Sequence, residues 1–203
     1  VSWPRVRPGG AGAWNSKGLD FYERLVDGLL ERGVKPYVTL NHWDLPAELQ
    51  DAGGWAQRDT VQRFVEYALG VHARLGDRVA AITPHNEPWV IATLGHETGV
   101  FAPGLKSRAT AAQVSHHLLL SHGLAMQAIR AQGCRSRIGI VLNLAPVRPA
   151  TDSDAEGAFR WIGGGDVDAD GPWAFGQPDN YEGSENCLEL RQQARLVSVL
   201  TPA

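Results

Sequence analysis

The sequence holds little that would commit it to metal, membrane or nucleic acid. Its 203 residues include only two cysteines, Cys134 and Cys187, far apart and without C-x-x-C spacing, so neither a zinc site nor a disulfide framework is signalled. No apolar run reaches membrane length, and no charged-then-apolar leader stands at the N-terminus. Lysine and arginine are scattered and the formal net charge is −3, which leaves no basic stripe for nucleic acid and no polybasic cluster for a lipid surface. The expected partner is a small neutral molecule. The chain opens at Val1 inside an extended apolar segment, as a truncated segment would. What is present is enough apolar material, 43% of residues, to bury one ordinary core.

Taken in order, Val1 to Val6 reads as the end of a strand stopped by Pro4 and then Pro8-Gly9-Gly10. From Asn15, a candidate N-cap, Tyr22, Leu25, Val26, Leu29 and Leu30 recur at helical spacing, with Gly33 placed as a C-cap. Tyr37 to Leu40 is a short strand running into Asn41-His42-Trp43-Asp44, and Pro46 with Gly53-Gly54 marks a loop. Asp59 with Gln62 predicts a capping box opening a second helix through Phe64, Val65, Ala68 and Leu75. Val79 to Ile82 is the next strand, and a glycine-rich loop leads to a third helix over 109–131 with Val114, Leu118, Ala125 and Ile129 on one face. Ile138 to Leu142 closes the series, ending at Asn143. Strands alternating with helices predict parallel β/α units, an α/β fold with helices outside the sheet.

In such a sheet the C-terminal strand ends share one side, so His42, Asn86, Glu87 and Asn143 are expected on a common face. One polar residue after a strand is usually a turn former. Three successive strands ending this way predict a site. Glu87 lies between an amide and Pro88, with Trp89 beside it, a setting suited to acid catalysis on sugars. The helical histidines His116, His117 and His122 lack the i, i+4 spacing of a metal pair at 117 and 122, and packing or surface roles are expected.

The residues Ser2-Trp3-Pro4-Arg5, Gly18-Leu19-Asp20-Phe21-Tyr22, His42-Trp43-Asp44-Leu45-Pro46, Gly53-Gly54-Trp55, Asn86-Glu87-Pro88-Trp89 and Ala102-Pro103-Gly104, in this order and spacing, carry a resemblance over about 1–156. The chain resembles the interior of a glycoside hydrolase family 1 enzyme of the β-glucosidase type, a (β/α)8 TIM barrel. The resemblance implies retaining hydrolysis of a β-glucoside without a cofactor. It implies that Glu87 is the general acid/base, that Asn86 binds the sugar hydroxyl next to the scissile bond, that His42 and Trp43 line the same subsite, and that Asn143 is a lesser polar neighbour. The family's nucleophile lies in a Thr-Glu-Asn-Gly type motif that does not occur among these residues. The segment therefore corresponds to about strands two to five of eight, and an inactive chain is expected. Open sheet edges then predict self-association.

One local departure bears on the site. The family reads Trp-x-Thr-x-Asn-Glu-Pro where this chain has Ile82, Thr83, Pro84 and His85, as if one residue were inserted. Pro84 would remove a ladder hydrogen bond, and a slip would turn the preceding strand over. Residues 157–203 are expected to form an irregular tail. Within it Trp161-Ile162-Gly163, Gln177-Pro178-Asp179-Asn180 and Glu185-Asn186-Cys187 resemble pieces of a C-type lectin domain, which implies Gln177, Asp179 and Glu185 as calcium ligands in an incomplete set. The alternative function is thus a non-catalytic, lectin-like carbohydrate-binding polypeptide. The compartment is left open, with the cytoplasm expected for the glycosidase part.

Overall fold

A computed structural model describes residues 1–144, 147–149 and 159–161. The tail residues Gln177, Asp179 and Glu185 lie outside the described residues, and with them the lectin-like reading. The described residues fall into two units, one spanning 1–142 and one beginning at Asn143.

The first unit is an α/β layer. Helices α1 (Trp3–Val6), α2 (Ser16–Leu30), α3 (Ala47–Asp51), α4 (Asp59–Leu75) and α5 (Arg108–Ala131) surround a parallel sheet of β1 (Tyr37–Asn41), β2 (Ala81–His85) and β3 (Arg137–Ile138). β2 is central, with Tyr37 opposite Ala81 on one side and Arg137 opposite Ala81 on the other. All five of its residues are buried, as expected of a strand covered on both faces. Among the described residues, no helix is long and apolar enough to cross a membrane.

The sheet has three strands where four were expected. Trp3–Val6 is a helical turn, because Pro4 stands at its first positions, where proline's fixed φ fits and no amide proton is needed. Only Val1 keeps a strand-like place, its amino nitrogen donating to Thr39 O at 2.6 Å. The turn drops Trp3 into the core, where it stacks on Tyr67 at 4.9 Å and meets Phe64 edge-on at 5.6 Å. Trp55 and Phe64 complete an aromatic cluster under β2.

Helix α2 ends as its sequence predicts. Gly33 has φ +72°, Gly33 N–H donates to Leu30 O and Val34 N–H to Leu29 O, the paired bonds of a Schellman cap. Its start differs, since Asn15 makes no cap bond and its side-chain amide donates to Arg5 O instead. Its packed line is also narrower than expected. Leu19 and Val26 are buried, whereas Leu25, about a quarter turn or more off their line, and Leu30, the last residue of the helix, are exposed. Ion pairs tie that flank down: Arg74 reaches Glu23 at 2.7 Å and Asp20 at 3.3 Å, and Arg78 reaches Asp27.

The capping box at Asp59 does not form. Asp59 is already the first helical residue, its carboxylate takes Arg63 Nε one turn on, and Gln57 and Arg58 carbonyls close the first turn of α4. Helix α5 is capped by Ser107, whose hydroxyl accepts from Thr110 N–H at 3.2 Å. The predicted stripe Val114, Leu118, Ala125 and Ile129 is fully buried. A π-helical segment, Val90–Glu97, follows the site, where only a loop was expected. In the second unit β4 (Val147–Pro149) and β5 (Phe159–Trp161) pair antiparallel, Val147 opposite Trp161. The boundary expected near 156 falls between these two strands.

Candidate active site

The end of β2 is built on a bulge. Ile82 pairs with Ile138, and four residues later Asn86 bridges Val141, only three residues along the other chain. β2 thus carries one extra residue between Ile82 and Asn86. Against β1 the register runs unbroken from Tyr37 with Ala81 to Asn41 with His85, and Asn41 accepts the N–H of Asn86 at 2.9 Å, so the extra residue is counted against β3 alone. A bulge of this kind bends the strand and re-aims the residues that come after it. The expected slip is absorbed here, and both neighbours stay in register. The bulge also explains why β3 is short: pairing stops at Ile138 and resumes at Val141, on its far side.

Glu87 emerges from this bulge held at both backbone groups. Its N–H donates to Val141 O at 2.8 Å and its carbonyl accepts from Val90 N–H at 2.9 Å. Its φ is +44°, a left-handed conformation that costs a residue with a Cβ about 1–3 kcal/mol. The carboxylate is half-buried and takes no hydrogen bond among the described residues, so its oxygens are free for a ligand.

The loop after β1 is tied to the same strand end. Trp43 also has positive φ, +72°, and its indole Nε1 donates to Asn86 O at 3.0 Å. Buried Asn41 donates to Asp44 O and closes the turn. Asn86 Nδ2 stands 3.4 Å from His42 Nε2; with the amide as donor, His42 accepts there and carries its ring proton on Nδ1. His42 meets Trp43 edge-on at 4.8 Å, and Phe101 covers Trp43 from the far side at 5.9 Å. The structure thus brings His42, Trp43, Asn86 and Glu87 together through a continuous set of contacts. Asn143 is exposed and belongs to the second unit. Among the described residues, no three His, Cys, Asp or Glu side chains could share a metal ion.

Beneath the site lies a residue that sequence reading treated only as part of the irregular insertion. His85 is fully buried, stacked on Phe64 at 4.5 Å, with Nε2 at 2.8 Å from Ser121 Oγ. Ser121 donates its own proton to Leu118 O, so His85 is the donor in that pair and its Nδ1 is an unpaired buried acceptor. The helical histidines have the structural roles expected of them: His117 donates from Nδ1 to Trp55 O at 2.8 Å, and His122 lies 6.4 Å from His85.

The family model of glycosyl hydrolase family 1 matches residues 1–160. The chain belongs to glycosyl hydrolase family 1. It is 51% identical over 152 residues to β-glucosidase A of Acetivibrio thermocellus, covering 75% of this chain and 34% of that protein. Thermostable β-glucosidase B of Thermobispora bispora is 54% identical over 160 residues, 79% of this chain and 33% of its own length. The β-glucosidase of Thermotoga maritima, solved in complex with deoxynojirimycin, superposes with a TM-score of 0.72 at 45% identity, covering 75% of this chain and 35% of that one. The chain spans about a third of the length of these relatives.

Burial, and then the neighbouring His122, push the His85 pKa from its ordinary 6.5 down to about 3. Burial, and then Arg130, lower His122 in the same sense. Below pH 6.5 the unfolded chain takes up a proton that the folded site refuses until about pH 3. Stability is therefore lost as pH falls through that window, by up to about 1.4 kcal/mol per unit for His85, and is unaffected by it above. In urea unfolding, His85→Phe is expected to reduce the loss between pH 7.5 and 4.5 by about 3 kcal/mol. An unchanged pH slope would show that His85 is not the buried base.

Proposed function

We propose that residues 1–156 are a segment of a retaining O-glycosyl hydrolase of the β-glucosidase type, corresponding to about strands two to five of an eight-stranded barrel, with 157–203 a separate tail. The observation that carries this reading is the carboxylate of Glu87, unpaired among the described residues, on a strained backbone, with Asn86, His42 and Trp43 tied to the same strand end. The relatives named above are β-glucosidases, and one was solved with a sugar-like inhibitor.

In this reading Glu87 gives its proton to the glycosidic oxygen while a second carboxylate, about 5 Å away, attacks the anomeric carbon from the opposite face and the carbon–oxygen bond breaks. Glu87, now ionised, then takes a proton from water as that water displaces the enzyme carboxylate, which returns both groups to their starting state. Asn86 holds the hydroxyl beside the scissile bond, His42 and Trp43 form the wall of the same subsite, and Asn143 is a lesser polar neighbour. The second carboxylate has no Thr-Glu-Asn-Gly counterpart within the 203 residues. The chain by itself is therefore expected to turn over no aryl β-glucoside.

A hybrid tests the role of Glu87. Residues 1–144 are exchanged into the Thermobispora bispora enzyme, and Glu87→Ala is compared on substrates of different leaving group. Loss of a general acid is expected to cut kcat/KM on a phenyl glucoside by about 10²–10⁴, and much less on a dinitrophenyl glucoside, whose leaving oxygen needs no proton. Equal losses on both would remove Glu87 from the acid role.

Self-association follows from the sheet. Among the described residues, β1 and β3 each pair on one side only, with Val1 as the single addition at β1. Unpaired parallel edges invite a second chain. Light scattering is expected to show dimers or larger species, and a monodisperse monomer would contradict this.

A further inference from the structure

The β1 side of the sheet runs out of backbone donors just where the site begins. In a parallel pair, a residue bonds two residues two apart on the neighbouring strand, accepting from one and donating to the other. Val141 shows the pattern on the β3 side of β2: it donates to His85 O at 3.1 Å and accepts from Glu87 N–H at 2.8 Å. On the β1 side Asn86 N–H goes to Asn41 O, so the same pattern would bring the N–H of Trp43 to Asn86 O. That amide is turned away. Trp43 has φ +72°, and its N–H donates to Asn41 Oδ1 at 3.4 Å, inside the turn that Asn41 Nδ2 closes on Asp44 O. Asn86 is buried, and a buried carbonyl left without a donor is destabilising. The donor comes instead from the side chain of the same residue: Trp43 Nε1 lies 3.0 Å from Asn86 O. An indole N–H can only donate, so the direction of this bond is fixed.

We propose that Trp43 is a positioning residue for Glu87, its indole N–H replacing its own backbone amide as the last rung between β1 and β2 and so holding the peptide that joins Asn86 to Glu87. That peptide is planar and is gripped at both ends: its carbonyl by Trp43, from the loop after β1, and its N–H by Val141 O, from beyond β3. Val90 N–H holds the carbonyl of Glu87 itself, so the peptide planes on both sides of Glu87 are fixed, and its left-handed φ with them. The indole is held in turn, with His42 edge-on at 4.8 Å and Phe101 at 5.9 Å. This role is separate from the subsite wall given to the ring under the proposed function, since a ring without a donor nitrogen could form that wall. The link to catalysis rests on Glu87 acting as the acid; the grip on the peptide does not.

The test removes the donor and keeps the shape. In the full chain Trp43 is replaced by 3-benzothienylalanine, in which sulfur stands where the indole N–H was, and amide hydrogen exchange is compared at Glu87 and Asn86. The Glu87 amide belongs to the gripped peptide, whereas the Asn86 amide belongs to the one before it, which Asn41 O holds independently. Exchange is expected to rise about three- to tenfold at Glu87, the effect of one lost hydrogen bond, and by less than about twofold at Asn86. An equal rise at both amides, as general loosening produces, or no rise at Glu87, would overturn the proposal. If the substituted chain does not fold, the parent chain decides by its scalar couplings across hydrogen bonds. A coupling from Trp43 Nε1 to the Asn86 carbonyl carbon supports the proposal; a coupling to that carbon from the Trp43 backbone nitrogen, or from neither, overturns it. Exchange reads position and not turnover. A hybrid enzyme indifferent to Glu87 would leave this result standing, and a failure here would leave the acid role standing.

Discussion

The arrangement of this molecule depends on how a central parallel strand comes to its end. β2 must keep its hydrogen bonds with two neighbours while carrying one residue more than the β3 side matches, and it does so between Ile82 and Asn86 with its β1 register unbroken. A strand of regular pleat would alternate its last side chains between the two faces. The bulge breaks that alternation, so Asn86 and Glu87 leave the sheet with their backbones anchored to opposite neighbours, Asn86 to Asn41 and Glu87 to Val141. The left-handed φ of Glu87 is the local cost, and the two anchors together with the Val90 N–H on its carbonyl over-determine it.

The layer beneath makes the bulge tolerable in a dry interior. Trp3, Trp55, Phe64 and Tyr67 form a close aromatic cluster, and His85 stacks on Phe64 as one more ring of it. Each such ring contributes roughly 2–3 kcal/mol through burial, with some gain from edge and stacked contacts. The cluster also carries polar ends to the places the sheet leaves short. Tyr67 supplies a hydroxyl to Leu40 O and Val1 O, and His85 supplies a ring N–H to Ser121. Packing and hydrogen-bond completion are here properties of the same side chains, which is why apolar substitutes at these positions are expected to disturb the site as well as the core.

Much of this was legible in the order of the residues. Apolar periodicity placed the three long helices and three of the strands, because each buries a face against one sheet and the period survives. The Gly33 cap was legible because only glycine takes that φ without cost. His42, Asn86 and Glu87 were legible as a cluster because parallel topology gathers strand ends, and Trp43 was legible through the family resemblance. Trp3–Val6 was misread since Pro4 both stops strands and starts helices, and only the position of Trp3 in the core decides between them. Leu25 was misread because an apolar residue near a face need not lie on it, and Leu30 because it stands at the helix end. The bulge was visible only as an irregularity. Its resolution depends on Asn41 and Val141, which stand on other stretches of the chain, and no local pattern announces which carbonyls take the Asn86 and Glu87 amides. Asn143 followed the strand-end rule in sequence, but the structure sets it in the second unit and leaves its part in the site a proposal.

The bulge delivers Glu87 with its backbone fixed to Val141, beyond the end of β3. The most direct measurement is the through-hydrogen-bond scalar coupling between the Glu87 amide nitrogen and its acceptor carbonyl carbon, recorded on the isotopically labelled chain. A coupling is expected from Glu87 N to the carbonyl of Val141, alongside one from Asn86 N to the carbonyl of Asn41. A coupling from the Asn86 amide to the carbonyl of Val141, with the Glu87 amide coupled to that of His42, would mean that β2 runs through without the extra residue and that the carboxylate is aimed elsewhere.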